Sequence, residues 1–217
     1  MELHKVIEHT LLKPNCTLDE IRNLCEEALQ YKFLGVCIPP YFVKDAVRFL
    51  DEQAKVVTVV GFPMGYSTIP SKVEEIKRAL DEGGDEIDAV VNIAAIKSGN
   101  WLYIKNEMDS MIRAVSLKGK MMKLIIETGM LTKNEIKQVL EIAEANDVDF
   151  IKTSTGFNAD GATVEIVRFI RDNLKPKIKI KASGGIKSFE MAEKLVHAGA
   201  DRIGTSSGVQ MILQMAK

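Results

Sequence analysis

The sequence contains few of the residues that form cross-links or hold metal ions. Its three cysteines, Cys16, Cys25 and Cys37, are an odd number. Neither they nor the three histidines have the close spacing of a metal site. These absences argue against a disulfide framework and against a histidine–cysteine metal centre. We therefore expect reduced thiols, a cytoplasmic protein and no bound metal.

Long apolar segments and an excess of either charge are also missing. No run approaches the roughly 20 apolar residues that span a bilayer, and the first residues lack the charged-then-apolar layout of a signal peptide. The net charge of −1 gives no long-range attraction to nucleic acid or to an anionic membrane, so we expect neither partner. The 217 residues are 46% hydrophobic and 27% charged, which is typical of a globular protein with a sizeable core.

Eight short apolar runs recur along the chain, separated by stretches with helical periodicity. The runs are Val6–Leu12, Leu34–Pro39, Val56–Gly61, Glu86–Ile93, Met122–Glu127, Asp149–Lys152, Ile178–Ala182 and Arg202–Ser206. Alternating strands and helices predict a parallel sheet covered by helices. Eight such units predict an α/β fold with a single (β/α)8 TIM barrel over residues 1–217. A doubly wound open sheet is the alternative.

Helix starts and further helices follow from local patterns. Capping boxes, in which a hydroxyl and a carboxylate three residues later each satisfy a free amide, predict three helix starts. They pair Thr17 with Glu20, Ser71 with Glu74, and Thr132 with Glu135. Further helices are predicted at Tyr41–Gln53, Asn100–Ser116, Thr163–Asn173 and Phe189–Ala198.

Lysines near the ends of the sixth and seventh runs are the most informative residues. Lys152 and Lys181 lie one strand-plus-helix unit apart, which predicts adjacent strands about 4.8 Å apart. Desolvation and a neighbouring cation both favour a neutral amine over an ammonium. A neutral amine is what Schiff-base chemistry with a carbonyl requires. The alternative is two lysines that reach solvent at the rim or pair with carboxylates.

Carboxylates at two other strand ends are candidate partners. Asp88 lies inside the fourth run, where it serves either in catalysis or in a buried ion pair between strands. Glu127 ends the fifth run and either orients a lysine or caps a loop. Strand alternation places a deeper charged layer at the closed end of the barrel, where we expect Glu86 to neutralise Lys123 or Lys179.

Glycine-rich turns follow the last three runs, at Thr155–Gly156, Ser183–Lys187 and Gly204–Gly208. Such turns expose backbone amides, and the loops after strands seven and eight of a barrel are the usual phosphate site. The alternative is tight connections that need glycine for backbone reasons. The aromatic loop Phe62–Tyr66 is expected to shape the pocket mouth.

Seven segments, spread from the first predicted strand to the last, carry patterns that together are highly specific. They are Ile7–Pro14, Val59–Pro63, Asp85–Asp88, Ile126–Gly129, Lys152–Phe157, Lys181–Ile186 and Gly204–Ser207. In these segments the chain resembles the deoxyribose-phosphate aldolase family, class I aldolases on a (β/α)8 barrel. The resemblance implies reversible cleavage of 2-deoxyribose 5-phosphate to glyceraldehyde 3-phosphate and acetaldehyde, without a cofactor.

The resemblance also implies residue roles. Lys152 would form the Schiff base, Asp88 and Lys181 would act as proton donor and acceptor, and Glu127 and Thr153 would support them. The residues expected around the phosphate are Gly156, Gly184, Gly185, Gly204, Ser206 and Ser207. Because the family often dimerises, we expect a homo-oligomer, with a dimer favoured.

Two features depart from the family pattern. Glu8 stands where the family commonly has Asp, which we expect to shift a hydrogen bond near the pocket mouth. Some members carry a longer C-terminal tail ending in a tyrosine that assists proton transfer, whereas this sequence ends at Lys217, so we expect that assistance to be missing or to come from elsewhere. Two rival functions stay open: another Schiff-base aldolase or transaldolase-like enzyme on this barrel, and a non-catalytic sugar-phosphate-binding barrel.

Overall fold

Eight parallel strands close into a barrel in the computed structural model, which describes residues 2–215. Each strand pairs with its neighbours in chain order, and β8 pairs with β1, Ile7 lying opposite Ile203. The predicted (β/α)8 barrel is therefore confirmed, and the doubly wound open sheet is wrong because this sheet has no open edge. The expectation about the chain's end at Lys217 lies outside the described residues.

The strands are short and the helices follow them in alternation. The strands are β1 (Ile7–Thr10), β2 (Gly35–Ile38), β3 (Lys55–Val60), β4 (Glu86–Val90), β5 (Met121–Ile125), β6 (Phe150–Lys152), β7 (Lys179–Ser183) and β8 (Arg202–Thr205). The helices are α1 (Leu18–Gln30), α2 (Val43–Leu50), α3 (Ile69–Asp81), α4 (Ile93–Lys97), α5 (Trp101–Ser116), α6 (Lys133–Ala145), α7 (Val164–Asp172), α8 (Phe189–His197) and α9 (Gly208–Met215). Among residues 2–215, no helix combines the length and apolar character needed to cross a bilayer.

Strand alternation divides the apolar residues into two clusters. The large cluster lies between the barrel and its helices and contains Val56 and Val60 of β3. A small cluster inside the barrel contains Val57 and Val59, together with Cys37 of β2. The interior near β2 and β3 is therefore apolar, which leaves the other strands to carry the charged residues.

Helix capping follows the sequence at two of three predicted starts. Both reciprocal bonds of the capping box form at Thr17 and at Thr132. The predicted box at Ser71 is wrong, because α3 begins earlier, after its N-cap Thr68. Pro70 lies in the first turn, where its missing N–H costs nothing and its fixed φ favours a helix start.

Candidate active site

Two lysines lie side by side inside the barrel. Lys152 of β6 and Lys181 of β7 are register partners on adjacent strands, and both are buried. Their Nζ atoms lie 2.8 and 2.6 Å, respectively, from the same oxygen, Oδ2 of Asp88 on β4. The predicted juxtaposition is confirmed. Of the alternative, the pairing with a carboxylate forms at Asp88, whereas neither lysine reaches solvent at the rim.

Asp88 lies among three lysine side chains, because Lys123 Nζ is 3.1 Å from its other oxygen, Oδ1. Burial alone would raise the pKa of Asp88, but the lysines Lys123, Lys152 and Lys181 hold it well below its usual value of 3.8. Burial alone would likewise lower the pKa of Lys181, but the carboxylates of Asp88 and Glu8 raise it. At neutral pH Asp88 is therefore an anion and Lys181 a cation.

A deeper layer of charges lies beneath Asp88. Lys123 Nζ is 2.5 Å from Glu86 Oε2. Arg202 of β8 contacts the same oxygen of Glu86 at 2.5 Å and Glu8 Oε1 at 3.0 Å. The predicted pairing of Glu86 with Lys123 is confirmed, and Arg202 is a member that the sequence analysis missed.

Lys179 does not join this layer. It is the first residue of β7 and is exposed, and no carboxylate of the described residues lies within 4.0 Å of its Nζ atom. Instead Nζ lies 5.8 Å from the ring centroid of Phe150, whose ring Arg202 also covers at 4.6 Å. Of the two lysines expected to neutralise Glu86, Lys123 does so and Lys179 does not, because the exposed side chain of Lys179 lies against the ring of Phe150.

Glu8 also differs from its expected place. Its carboxylate is fully buried inside the barrel, in contact with Lys181 and 3.5 Å from Lys123 Nζ. Burial alone would raise the pKa of Glu8, but the nearby Lys123 and Lys181 lower it. The expected hydrogen bond near the pocket mouth is therefore wrong, and Glu8 belongs to the buried ionic layer.

Above the lysines lies a cavity of about 190 Å³, formed by Lys152 and by the loops that follow β1, β6, β7 and β8. Five of the six residues predicted to surround a phosphate line it: Gly156, Gly184, Gly185, Gly204 and Ser206. A Cβ at Gly204 would lie 3.0 Å from Cε of Lys181, so the glycine leaves room for the lysine side chain. Ser207 does not line the cavity, because its amide donates to Thr205 Oγ1 at 2.9 Å as α9 begins.

Two lysines that the sequence analysis did not assign also line this cavity. Lys13 follows β1 and Lys187 follows β7, and both are exposed. Neither forms an ion pair with a described carboxylate within 4.0 Å. A cation beside glycine amides is a signal for anion binding, and at Lys187, the last residue of a recognised glycine turn, it could have been taken from the sequence.

Glu127 and Thr153 support the loops around the cavity. Glu127 lies beyond the end of β5 with a φ of 51°, and its carboxylate accepts hydrogen bonds from the Thr155 amide and from Asn158 Nδ2 at 3.2 Å. Of its two predicted roles, the loop cap is therefore the one that forms. Thr153 Oγ1 accepts from the Ser183 amide at 3.1 Å and ties the loop after β6 to β7.

One group in the barrel has atoms at metal-ligand spacing. Glu8, Cys37 and Asp88 each place a potential ligand atom within 4.8 Å of the others. Lys123 and Lys181 already lie against the two carboxylates, and burial raises the pKa of the Cys37 thiol. A divalent ion would have to displace those ammonium groups. We therefore assign the cluster of Glu8, Cys37 and Asp88 to the buried ionic layer and not to a metal site.

A family model and several similar proteins indicate one family for this chain. A family model described as DeoC/LacD family aldolase matches residues 3–214. A deoxyribose-phosphate aldolase of Thermococcus gammatolerans is 45% identical over 98% of this chain and 96% of its own length. One of Caldanaerobacter subterraneus subsp. tengcongensis is 46% identical over 100% of this chain and 95% of its own.

A solved structure of deoxyribose phosphate aldolase from Aeropyrum pernix has a TM-score of 0.93 and 29% identity. The superposition covers 99% of this chain and 91% of the Aeropyrum pernix chain. Fold, motifs and relatives thus agree over nearly the whole length of the protein. The chain belongs to the DeoC/LacD family of aldolases.

Proposed function

We propose that this chain reversibly cleaves 2-deoxy-D-ribose 5-phosphate to D-glyceraldehyde 3-phosphate and acetaldehyde through a Schiff base on Lys152. The similar proteins named above carry the name of this activity. The single observation that supports Lys152 as the nucleophile is the balance of charge in the buried layer.

Among the described residues, the buried ionic layer contains four cations and three carboxylates. Its cations are Lys123, Lys152, Lys181 and Arg202, and its carboxylates are Glu8, Glu86 and Asp88. Because an uncompensated buried charge is costly, the layer is balanced when one amine has lost its proton. Lys152 contacts one carboxylate, whereas each other cation contacts at least two, so its proton is held by the fewest partners. Of these four cationic residues, Lys152 is the one that lines the cavity, so the amine without a proton would face the substrate.

The reaction then follows from the positions of three side chains. Neutral Lys152 attacks C1 of the open-chain sugar, and proton transfers by Asp88 and Lys181 convert the carbinolamine to an iminium with loss of water. The iminium accepts the electron pair of the C2–C3 bond as that bond breaks, while the C3 hydroxyl loses its proton and becomes the aldehyde of the leaving fragment. Glyceraldehyde 3-phosphate leaves, and an enamine of acetaldehyde remains on the lysine. Protonation of the enamine carbon and hydrolysis of the imine release acetaldehyde and restore the amine.

The phosphate would lie at the far side of the same cavity. Gly156, Gly184, Gly185, Gly204 and Ser206 line that side, and Ser207 supports its last turn. Lys13 and Lys187 would add two positive charges, and the start of α9 would add part of one. Binding the phosphate there holds C1 of the sugar next to Lys152, so the two reacting groups no longer have to meet by diffusion.

Borohydride trapping tests this function and separates it from its rivals. Incubation with acetaldehyde alone, reduction and peptide mapping should give an adduct on Lys152. Lys152→Leu should abolish turnover and trapping while the protein stays folded, because Asp88 keeps two other ammonium partners. Turnover of a different sugar phosphate with an adduct on Lys152 would indicate another Schiff-base aldolase. Phosphate binding without any adduct would indicate a non-catalytic barrel.

We also propose an oligomeric state and a cellular location for the protein. We propose a homo-oligomer, with a dimer favoured; the homo-oligomer is supported by self-association in a similar protein, the tetrameric aldolase of Aeropyrum pernix. Light scattering on the purified chain would give the number of subunits. A cytoplasmic location is supported by three cysteines that are free in the structure.

A further inference from the structure

A second buried ion pair lies outside the barrel, between helices α3 and α5. Lys72 of α3 and Glu107 of α5 are both fully buried, and Lys72 Nζ lies 2.7 Å from Glu107 Oε1. Burial lowers the pKa of Lys72 and raises the pKa of Glu107, as expected for charges that have lost their hydration. Such a pair is weak evidence for stability, because the desolvation cost can exceed the attraction. Its bonds to other segments indicate what it does.

The pair joins three segments of the chain. Lys72 Nζ donates to the carbonyl oxygen of Gly65, in the loop after β3, and to that of Val90, at the end of β4, both at 2.6 Å. Glu107 Oε2 accepts from the Asn92 amide, just beyond β4, at 2.9 Å. The loop after β3 is thus fastened to β4, the strand that carries Asp88.

The shape of that loop depends on Lys72. Gly61 and Gly65 both have positive φ, and the Gly65 amide donates to the Gly61 carbonyl at 2.8 Å, so the loop is a tight turn. A Cβ at Gly61 would lie 2.8 Å from Cε of Lys72. A Cβ at Gly65 would lie 2.2 Å from the carbonyl oxygen of Val91. The turn therefore lies directly on the Lys72 side chain and on the end of β4.

The turn carries an aromatic side chain toward the cavity. The ring of Phe62 packs edge-on against Phe157 with 5.3 Å between ring centroids, and Phe157 lines the cavity beside Gly156. The next residue, Pro63, accepts a hydrogen bond at its carbonyl oxygen from Asn158 Nδ2 at 2.8 Å. The loop after β6, which contributes Gly156 to the proposed phosphate site, is thus supported from the side by the turn that Lys72 holds.

We propose that the Lys72–Glu107 pair is a positioning device for substrate binding, which holds Phe62 against Phe157 and so fixes the wall of the cavity beside the phosphate. It takes no part in imine formation at Lys152. The inference rests on the proposed function, since it assigns the pair to the phosphorylated end of that substrate.

A double variant, Lys72→Met/Glu107→Gln, tests the inference. It removes both charges, keeps side chains of similar volume and leaves an amide oxygen for the Asn92 amide. We expect KM for 2-deoxyribose 5-phosphate to rise about tenfold, since a small displacement of a positioning wall is costly. Trapping of acetaldehyde on Lys152 and kcat should stay within about threefold of wild type. The matched control is Lys133→Met/Glu165→Gln, which removes an exposed pair with a 2.8 Å contact between α6 and α7 and should change none of these values.

The outcomes separate this inference from the proposed function. A folded double variant with wild-type KM would overturn the positioning role, and so would a loss of acetaldehyde trapping in step with turnover. If the double variant does not fold, Phe62→Leu decides: a raised KM supports the inference and an unchanged KM overturns it. Failure of the wild-type protein itself to trap acetaldehyde would instead count against the proposed function.

Discussion

Lys152 and Lys181 share one carboxylate oxygen, with their Nζ atoms 2.8 and 2.6 Å from Oδ2 of Asp88. They differ in their other contacts, because Lys181 also contacts Glu8, whereas Asp88 is the one described carboxylate within 4.0 Å of Lys152 Nζ. A proton can therefore pass between the two amines through a single group. The charge of Lys181 also acts on Lys152 at short range in a buried, weakly screened site.

Substitution Lys181→Leu should impair turnover and shift its pH dependence. The variant removes a proposed proton carrier, for which a loss in kcat of about 10²–10⁴-fold is typical. It also removes one cation from the buried ionic layer. The three remaining cations, with Lys152 protonated, then balance the three carboxylates. The acidic limb of the kcat/KM profile should therefore move to higher pH, which a series of assays from pH 5 to about 10 would measure.

The control for this prediction is Lys179→Leu. Lys179 lies two residues earlier on the same strand but is exposed and outside the ionic layer, so its loss should leave both kcat and the pH profile unchanged. An acidic limb that does not move in Lys181→Leu would contradict the electrostatic coupling, even if the variant were slow.

The sequence predicted the lysine pair well because alternation and the length of one strand-plus-helix unit fix which strand and which face a residue occupies. The depth of a residue along the barrel axis is harder to predict. Lys179 shares a face with Lys181, but its side chain is exposed and lies against the ring of Phe150. Arg202 enters the layer only because closure of the barrel brings β8 beside β1 and opposite Glu86 of β4. Such contacts between distant strands depend on the tilt of the closed barrel, which no local pattern reveals.

Lys13 and Lys187 should contribute to phosphate affinity. Both line the cavity and have no described carboxylate within ion-pair distance, so their charges are available to an anion. We expect Lys13→Gln and Lys187→Gln each to raise KM for 2-deoxyribose 5-phosphate about fivefold, with an effect that shrinks as salt is added. Initial rates at several salt concentrations would measure this.

The specificity of that effect can be tested with unphosphorylated 2-deoxyribose, for which both variants should match the wild type. Lys77→Gln, an exposed lysine on α3 far along the chain from the cavity loops, provides a matched charge change. Equal losses on the phosphorylated and unphosphorylated sugars would contradict a role in phosphate binding.

Acid should weaken the fold through Asp88. The pKa of Asp88 is held well below its usual value of 3.8 by Lys123, Lys152 and Lys181, so its ionised form favours the native state. That contribution is complete above about pH 4, where Asp88 is ionised in both states, and is lost as pH falls through the lower native value. Asp88→Asn should therefore lower the free energy of unfolding by about 3–5 kcal/mol at pH 7, since it leaves Lys152 without a carboxylate and removes one carboxylate partner from Lys123 and from Lys181. The difference from wild type, measured by urea denaturation, should narrow steadily below about pH 4, because the wild type then loses the same charge. A difference that stays constant down to pH 2 would show that the cost of the substitution is steric and not electrostatic.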